Sequence, residues 1–256
     1  MAGPSGTVYT SADIDTLAKQ LRSYIIPRQN EALKDHNYFC VAVSGGYIPT
    51  ILTKGLLRPI DSSIEFEKWS IFFADERIVP LDHEQSNYKL LNDEFLSKIP
   101  REMGSPTVHT IDTSRINEEP QKIADRYQTH LRRTFTPVDG DFPIFDLVLL
   151  GCGPDGHTCS LFPGHDLLHE KSAWVAAEIN SPKPPPRRIS LTLPVVTQAS
   201  NICFVAPAEE TDSALRDVFS EQGPDKLPAA VVDRIGGKKV TWFTTEPAVE
   251  GMNLSK

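Results

Sequence analysis

Short apolar runs alternate with segments of helical periodicity along most of the chain. Runs that are apolar at nearly every position are typical of strands buried on both faces of a sheet. The segments between them carry apolar residues three or four positions apart, as amphipathic helices do. The predicted strands are Phe39–Val43, Trp69–Ala74, Thr107–Ile111, Phe145–Leu150, Trp174–Ile179, Ile189–Leu193, Asn201–Ala206 and Lys239–Thr244. This alternation predicts an α/β sandwich with a mostly parallel central sheet.

The first predicted helix opens with a capping box, in which Asp13 stands three residues after Thr10. Pro27 lies inside its periodic segment and is expected to kink or restart the helix, because proline lacks the N–H that the helix needs. The other predicted helices are Ile48–Leu57, Ser86–Leu96, Ile123–Phe135, Ala214–Phe219 and Pro228–Val232.

Length and charge narrow the class of protein. The chain has 256 residues, a length at which α/β folds often form one unit, so we expect a single domain over residues 1–256. Hydrophobic residues make up 39% of the chain, which is enough for a sizeable core. The net charge of −8 argues against binding to nucleic acids or to a membrane surface. An anionic substrate would therefore need locally gathered arginines and lysines.

The location of the protein is also constrained. The first ten residues carry neither a basic region nor an apolar core, and no run approaches the length of a membrane span, so we expect a cytoplasmic protein. The four cysteines lack C-x-x-C spacing and are expected to be reduced. We expect a monomer, with a homodimer as the alternative.

The stretch from Phe145 to Gly164 joins a predicted buried strand to a glycine-rich turn. Glycine has no Cβ, so such a turn lets the backbone approach a ligand closely. Asp155 and His157 lie in this turn, just beyond the carboxyl end of the strand, where open α/β sheets bind their ligands. The N–H groups of Gly153 and Gly156 are candidate donors to a substrate oxygen. The pattern indicates an active site, and a core histidine is the structural alternative.

A helix is expected to begin at Thr158 or Ser160, directly after His157. The positive end of its dipole would favour the neutral imidazole. Neutral imidazole is well suited to act as a general base near neutral pH.

Two other ligand chemistries fit the sequence of this turn less well. The letters GCGPDG fit the dinucleotide fingerprint G-x-G-x-x-G, but Pro154 removes an N–H and Asp155 would bring a negative charge near a pyrophosphate. A metal site would draw on four side chains, namely Cys152, His157, Cys159 and His165. Their spacing matches no standard zinc pattern, so no metal is expected.

Polar residues also follow two other predicted strands. Ser44-Gly45-Gly46 separates a strand from a helix, an arrangement that points free N–H groups at a phosphate, with a simple tight turn as the alternative. Asp75 and Arg77 follow the strand Trp69–Ala74, where a solvated charged loop is the alternative. A proline-rich segment, SPKPPPRR, cannot be helical and is expected to deliver Lys183, Arg187 and Arg188 on an extended loop.

Together these blocks resemble the 6-phosphogluconolactonase family in order and spacing. They are Ser44-Gly45-Gly46, DERIVP from Asp75 to Pro80, GCGPDGHTCSLFPGH from Gly151 to His165, and the later SPKPPPRRISLTLPV. The likeness extends over most of the chain, and the combination is specific although each block alone is not.

The resemblance implies a Rossmann-like three-layer sandwich, no cofactor, and hydrolysis of a small sugar-phosphate lactone, 6-phospho-D-glucono-1,5-lactone, in the oxidative pentose phosphate pathway. It implies that His157 is the general base, with Asp75 and Asp155 nearby. It also implies that Arg77 and Arg188 hold the phosphate, alongside the Ser44-Gly45-Gly46 backbone.

One departure and two rival functions accompany the resemblance. Tyr47 stands where the family usually has a small hydroxyl residue, which leaves the grip on phosphate open. Glucosamine-6-phosphate isomerases share the fold, but they carry a glutamate where this chain has Phe162. The other rival is a non-catalytic sugar-phosphate-binding protein on the same fold, which the retained Asp75, Arg77 and His157 disfavour.

Overall fold

The fold is taken from a computed structural model that describes residues 3–135, 142–211, 214–221, 223 and 226–254. The strands in this part of the chain are β1 (Thr7–Ser11), β2 (Phe39–Val43), β3 (Trp69–Phe73), β4 (Asp75–Arg77), β5 (Thr107–His109), β6 (Leu147–Leu150), β7 (Val175–Glu178), β8 (Arg188–Leu191), β9 (Ile202–Ala206) and β10 (Val240–Thr245). The α-helices are α1 (Ile14–Asp35), α2 (Ile48–Leu56), α3 (Asn87–Glu94), α4 (Pro120–Thr134), α5 (Leu193–Gln198), α6 (Ala208–Thr211), α7 (Ala214–Val218) and α8 (Pro228–Gly236).

The described strands form two sheets. The main sheet has seven strands in the order β1-β10-β9-β6-β2-β3-β5, and every neighbouring pair in it is parallel. The smaller sheet has the order β4-β8-β7 and is antiparallel. The chain runs from β2 outward to β3 and β5, and from β6 outward to β9 and β10. The crevice between β2 and β6 is therefore the switch point where open α/β sheets bind ligands.

Two hydrophobic cores cover the two faces of the main sheet. Successive side chains of a strand point to opposite faces, so Val41 and Val43 pack in one core and Ala42 packs in the other. The core that holds Val41 and Val43 also contains buried residues of α1 and α2, such as Leu17 and Ile51. The parallel main sheet, with a core on each face, confirms the predicted Rossmann-like three-layer fold with a mostly parallel central sheet. Burial on both faces also explains why the strands are continuously apolar.

The ends of the elements show where local patterns misled the prediction. Thr10 does not cap the first helix; it belongs to β1, an edge strand that the sequence pattern did not reveal. The cap is Asp13, whose side chain accepts the N–H of Thr16. The helix does not restart at Pro27, since α1 continues through it to Asp35. Each of the eight predicted strands overlaps an observed one, and their boundaries differ by at most two residues.

Candidate active site

A cavity of about 290 Å³ opens at the carboxyl edge of the main sheet. Because β2, β3, β6 and β9 are parallel, the segments that follow them meet at this edge and build its walls, together with the loop before β8. All ten predicted site residues are described, and eight of them line the cavity: Ser44, Gly45, Gly46, Asp75, Arg77, Gly153, His157 and Arg188. Asp155 and Gly156 belong to the same turn as Gly153 and His157 but do not line the cavity.

The imidazole of His157 is held on two sides. Its Nδ1 atom lies 2.5 Å from Oδ1 of Asp155, and its ring stacks on Phe162 with 4.7 Å between centroids. A carboxylate can only accept a hydrogen bond, so Nδ1 carries the proton and Nε2 is the basic nitrogen. The side chain of His157 is 16% exposed. A fixed tautomer with an accessible lone pair is what a general base needs.

Asp155 is kept ionised by its neighbours. Burial alone would raise the pKa of its carboxyl, but the hydrogen bond and charge of His157, together with the Lys183 ammonium, hold that pKa well below its ordinary value. The Nζ atom of Lys183 lies 3.4 Å from Oδ1 of Asp155 and 3.4 Å from Nδ1 of His157. The Lys183 ammonium and the Asp155 carboxylate therefore form an ion pair that contacts the imidazole of His157 beside the cavity.

The turn that carries His157 does not lead into a helix. Thr158 and Leu161 instead form an isolated β-bridge, and Cys159 between them has a positive φ of 51°. The expectation of a helix at Thr158 or Ser160 is wrong, and with it the expected helix dipole. The partner that orients the imidazole is Asp155.

The two glycines of the turn shape it rather than face the cavity with free donors. The N–H of Gly153 donates to the carbonyl of His157, and the N–H of Gly156 donates to the carbonyl of Gly153. Gly156 has a φ of +75°, which favours glycine, and any side chain at Gly153 would collide with the imidazole of His157. Their described hydrogen bonds fix the position of the base.

Asp75 is buried and firmly held. It is 4% exposed, its Oδ2 accepts a hydrogen bond from Ser160 Oγ at 2.9 Å, and its carbonyl accepts one from Asn87. The next residue, Glu76, turns away from the cavity and accepts the backbone N–H groups of Arg77, Asn87 and Tyr88. Burial raises the pKa of Glu76 to about 7, against the effect of these donors. Glu76 thus anchors the start of α3 behind Asp75.

Arg77 and Arg188 are directly opposite each other in the antiparallel β4–β8 pair. Residues in such positions project from the same face, so the two guanidinium groups share one wall of the cavity. Arg188 is 3% exposed, and burial lowers the pKa of its guanidinium group. The Asp75 carboxylate opposes this lowering, and the charge of Arg77 adds to it. Like charges placed opposite each other are unfavourable alone, so this wall is suited to an anion.

The two arginines are held by backbone carbonyls. Arg188 donates to the carbonyls of Lys183, Pro184 and Pro185, at 2.8, 3.2 and 3.0 Å. Arg77 donates to the carbonyl of Gln85 at 2.8 Å, while its buried Nε has no partner among the described residues. Arg188 therefore fixes the proline-rich loop as well as lining the cavity.

Ser44-Gly45-Gly46 joins β2 to α2 on the opposite wall. Gly46 has a φ of +66°, and any side chain at Gly45 would collide with Asn87. Tyr47 occupies the N-cap of α2 without a side-chain capping bond, and Ser44 Oγ is buried with no partner in the described chain. An unpaired hydroxyl beside a helix N-terminus is a second feature suited to an anion.

Two charged residues that line the cavity were absent from the predicted site. Lys183 was expected on the loop but not beside His157, and the predicted site did not include Glu210 of α6. The available signal for Glu210 was its place four residues after the predicted strand Asn201–Ala206, at the same sheet edge. Within the described ranges, no three His, Cys, Asp or Glu side chains are arranged to hold a metal ion. No helix in those ranges is long and apolar enough to cross a membrane.

Comparison with known sequences gives consistent matches. The family model of glucosamine-6-phosphate isomerases/6-phosphogluconolactonase matches residues 12–242. The chain is 42% identical over 257 residues to the probable 6-phosphogluconolactonase of Schizosaccharomyces pombe, covering 97% of each chain. It is 39% identical over 250 residues to 6-phosphogluconolactonase 3 of Saccharomyces cerevisiae, covering 94% of this chain and 96% of the yeast protein.

Comparison with solved structures also finds 6-phosphogluconolactonases. The crystal structure of 6-phosphogluconolactonase from Leishmania guyanensis superposes with a TM-score of 0.80 at 25% identity, covering 97% of this chain and 99% of the other. That of 6-phosphogluconolactonase from Thermotoga maritima superposes with a TM-score of 0.72 at 26% identity, covering 94% and 99%. The similarity thus includes the full arrangement of the sheet that carries the cavity.

Proposed function

The chain belongs to the family of glucosamine-6-phosphate isomerases and 6-phosphogluconolactonases, and from that premise we propose that it hydrolyses 6-phospho-D-glucono-1,5-lactone to 6-phospho-D-gluconate, with His157 as the general base. The observation that carries the proposal is the pairing of His157 with Asp155 in a cavity that also holds the opposed Arg77 and Arg188. His157 can activate water, and the two arginines can hold a phosphoryl group.

The chemical step needs one proton acceptor and one proton return. Nε2 of His157 takes a proton from water as the water oxygen forms a bond to C1 of the lactone. Asp155 stabilises the imidazolium that results. When the bond between C1 and the ring oxygen breaks, the imidazolium returns the proton to that oxygen. The first products are a carboxylic acid, which keeps the second proton of the water, and a free hydroxyl, and the base regains its starting state. The carboxylic acid then releases its proton to solvent and becomes the carboxylate.

The negative charge that develops on the carbonyl oxygen requires a donor. The sequence made the N–H groups of Gly153 and Gly156 candidate donors to this oxygen. Both donate to carbonyls within the turn, so they are less suited to that role. Lys183 lines the cavity and lies within 3.4 Å of the His157–Asp155 pair. We therefore assign the stabilisation of the oxyanion to the Lys183 ammonium.

The phosphoryl group is proposed to bind between the arginine wall and the start of α2. A dianion needs several charge-assisted donors, and Arg77, Arg188, Ser44 Oγ and the Gly45-Gly46 backbone all border this space. The Tyr47 side chain is 37% exposed and need not enter the cavity for this grip.

Phe162 favours the lactonase over the isomerase. It is fully buried and stacks on the imidazole of His157, at the position where the isomerases carry the acid that helps to open the sugar ring. A benzyl group cannot transfer a proton. The proposed reaction belongs to the oxidative pentose phosphate pathway, and we propose the cytoplasm as its location.

The test is a direct assay of the purified protein. Loss of 6-phospho-D-glucono-1,5-lactone is followed by NMR against a reaction without enzyme, because the lactone also hydrolyses spontaneously. Catalysed loss well above the spontaneous rate is expected, with no release of ammonia from glucosamine 6-phosphate. Ammonia release without lactone hydrolysis would favour the isomerase, and neither activity would favour a binding protein.

A further inference from the structure

Glu210 reaches from α6 to the start of α2 across the carboxyl edge of the sheet. Its Oε1 packs against Gly46, where any side chain would collide with it, and a Cβ at Gly151 would lie 3.5 Å from the same oxygen. The backbone N–H of Tyr47, at the N-cap of α2, faces the carboxyl group. Glu210 thus occupies the helix end at which the phosphoryl group is proposed to bind.

The surroundings of Glu210 are poorly suited to a fixed negative charge. Its Oε2 is buried and has no hydrogen-bond partner among the residues that the structure describes. Burial raises the pKa of Glu210 to about 7, and the Tyr47 N–H and the Lys183 ammonium oppose that rise only in part. The nearby Cys152 thiol stays neutral, because burial raises its pKa.

Charged and titratable groups of the other walls line the same cavity. They are Asp75, Arg77, His157, Cys159, Lys183 and Arg188. A phosphoryl dianion bound beside an ionised Glu210 would place two anions against one helix end. A protonated Glu210 would instead offer an O–H donor to a phosphate oxygen.

We propose that Glu210 makes the binding of phosphorylated ligands depend on pH, because its carboxyl group takes up one proton when the phosphoryl group of the substrate binds beside it. The inference rests on the proposed function, which supplies the phosphorylated ligand. It extends that function, because it predicts that affinity for phosphorylated ligands depends on pH through a group outside the catalytic pair.

The direction of the pH dependence follows from the ionisation of the free protein. Below about pH 7 the Glu210 carboxyl is largely neutral and binding takes up no further proton. Above that pH each binding event must protonate the carboxyl, so affinity falls by up to about tenfold per pH unit. The second ionisation of a phosphate monoester, near pH 6, is nearly complete in this range and does not produce the fall.

The test measures binding of 6-phosphogluconate and of gluconate by calorimetry at pH 6.5, 7.5 and 8.5. Three proteins are compared: wild type, Glu210→Gln and Glu209→Gln. Glu209 is the exposed neighbour on α6 and serves as the matched control. Other ionising groups contribute equally to all three proteins, so the difference between pH slopes isolates Glu210.

For wild type and Glu209→Gln, the dissociation constant for 6-phosphogluconate is expected to rise on the order of tenfold between pH 6.5 and 8.5. For Glu210→Gln it should change by less than about twofold and be lower than that of wild type at pH 8.5, since the amide is always neutral. Gluconate binding should have the same pH slope in all three proteins.

Equal pH slopes for 6-phosphogluconate in wild type and Glu210→Gln would overturn the role of Glu210 and leave the proposed function standing. Failure of the wild-type protein to bind 6-phosphogluconate at any of the three pH values would overturn the proposed function itself. Thermal unfolding checks that each variant is folded, and Glu210→Ala provides a second variant that lacks the carboxyl. It should lose the pH slope in the same way.

Discussion

Arg77 of β4 lies directly opposite Arg188 of β8, and both line the cavity that holds His157. Two guanidinium groups on one face repel each other, and an anion between them turns that repulsion into binding. In the proposed function, the pair links the smaller antiparallel sheet to recognition of the phosphoryl group. The two arginines differ in that Arg188 also donates to the carbonyls of the proline-rich loop.

Replacing Arg77 by Gln should weaken binding of phosphorylated substrate. Loss of a charged hydrogen bond costs about 1.5–3 kcal/mol, which corresponds to a KM roughly 10- to 100-fold higher for the phosphorylated lactone. KM for unphosphorylated gluconolactone should change little. Arg187→Gln is the control, since Arg187 donates to the carbonyls of Ile116 and Glu118. Similar increases for both lactones would show that Arg77 does not recognise phosphate.

Removal of the Lys183 charge should act on turnover. In Lys183→Met the oxyanion loses its proposed partner, and kcat should fall by about 10²-fold. Lys183→Arg should restore part of the loss, whereas Lys171→Met, at an exposed site, should have no effect. A folded Lys183→Met protein with unchanged kcat and a raised KM would assign Lys183 to substrate binding instead.

Glu76 is expected to matter for stability rather than for chemistry. An amide in Glu76→Gln would turn an NH₂ group toward the N–H groups that the carboxylate accepts at the start of α3. Leaving a buried donor unpaired costs about 1–3 kcal/mol in the free energy of unfolding. Urea denaturation at pH 6, where the wild-type carboxyl is largely neutral like the amide, measures this cost, with the exposed Glu84→Gln as the control. An unchanged midpoint would show that other groups hold α3.

Asp155 should influence turnover through the orientation of His157. In Asp155→Asn the Nδ1–H of His157 loses its anionic acceptor, and the tautomer is no longer fixed, because an amide can turn either its oxygen or its NH₂ group toward the ring. The value of kcat should fall, while the affinity for 6-phosphogluconate stays close to that of the wild type. An unchanged kcat in a folded Asp155→Asn protein would show that another group orients the imidazole.

The sequence predicts the fold well where burial decides the structure. A short run that is apolar at every position, such as Leu147–Leu150, is typical of a strand buried on both faces of a parallel sheet. The strands, and the edge at which their carboxyl ends meet, therefore follow from the pattern. The pattern does not predict β1, because an edge strand that is largely exposed has no continuous apolar run. The helix expected after His157 failed because the Thr158–Leu161 bridge competes with helical hydrogen bonds.

Local sequence predicts some residues of the candidate site and not others. Residues in glycine-rich turns, such as His157, can be predicted because the turn itself is visible in the sequence. Glu210 and the partnership of Arg77 with Arg188 arise from contacts between distant segments, which no local pattern encodes. The cluster of Lys183 with Asp155 likewise depends on where the proline-rich loop folds back.

The central claim is that Nε2 of His157 activates the attacking water, and the turnover of a His157 variant tests it most directly. His157→Gln is measured with 6-phospho-D-glucono-1,5-lactone, alongside its thermal unfolding and its affinity for 6-phosphogluconate. The account predicts that kcat falls by about 10²-fold or more while the variant stays folded and binds the product with nearly wild-type affinity. A folded His157→Gln protein with near wild-type turnover would contradict it.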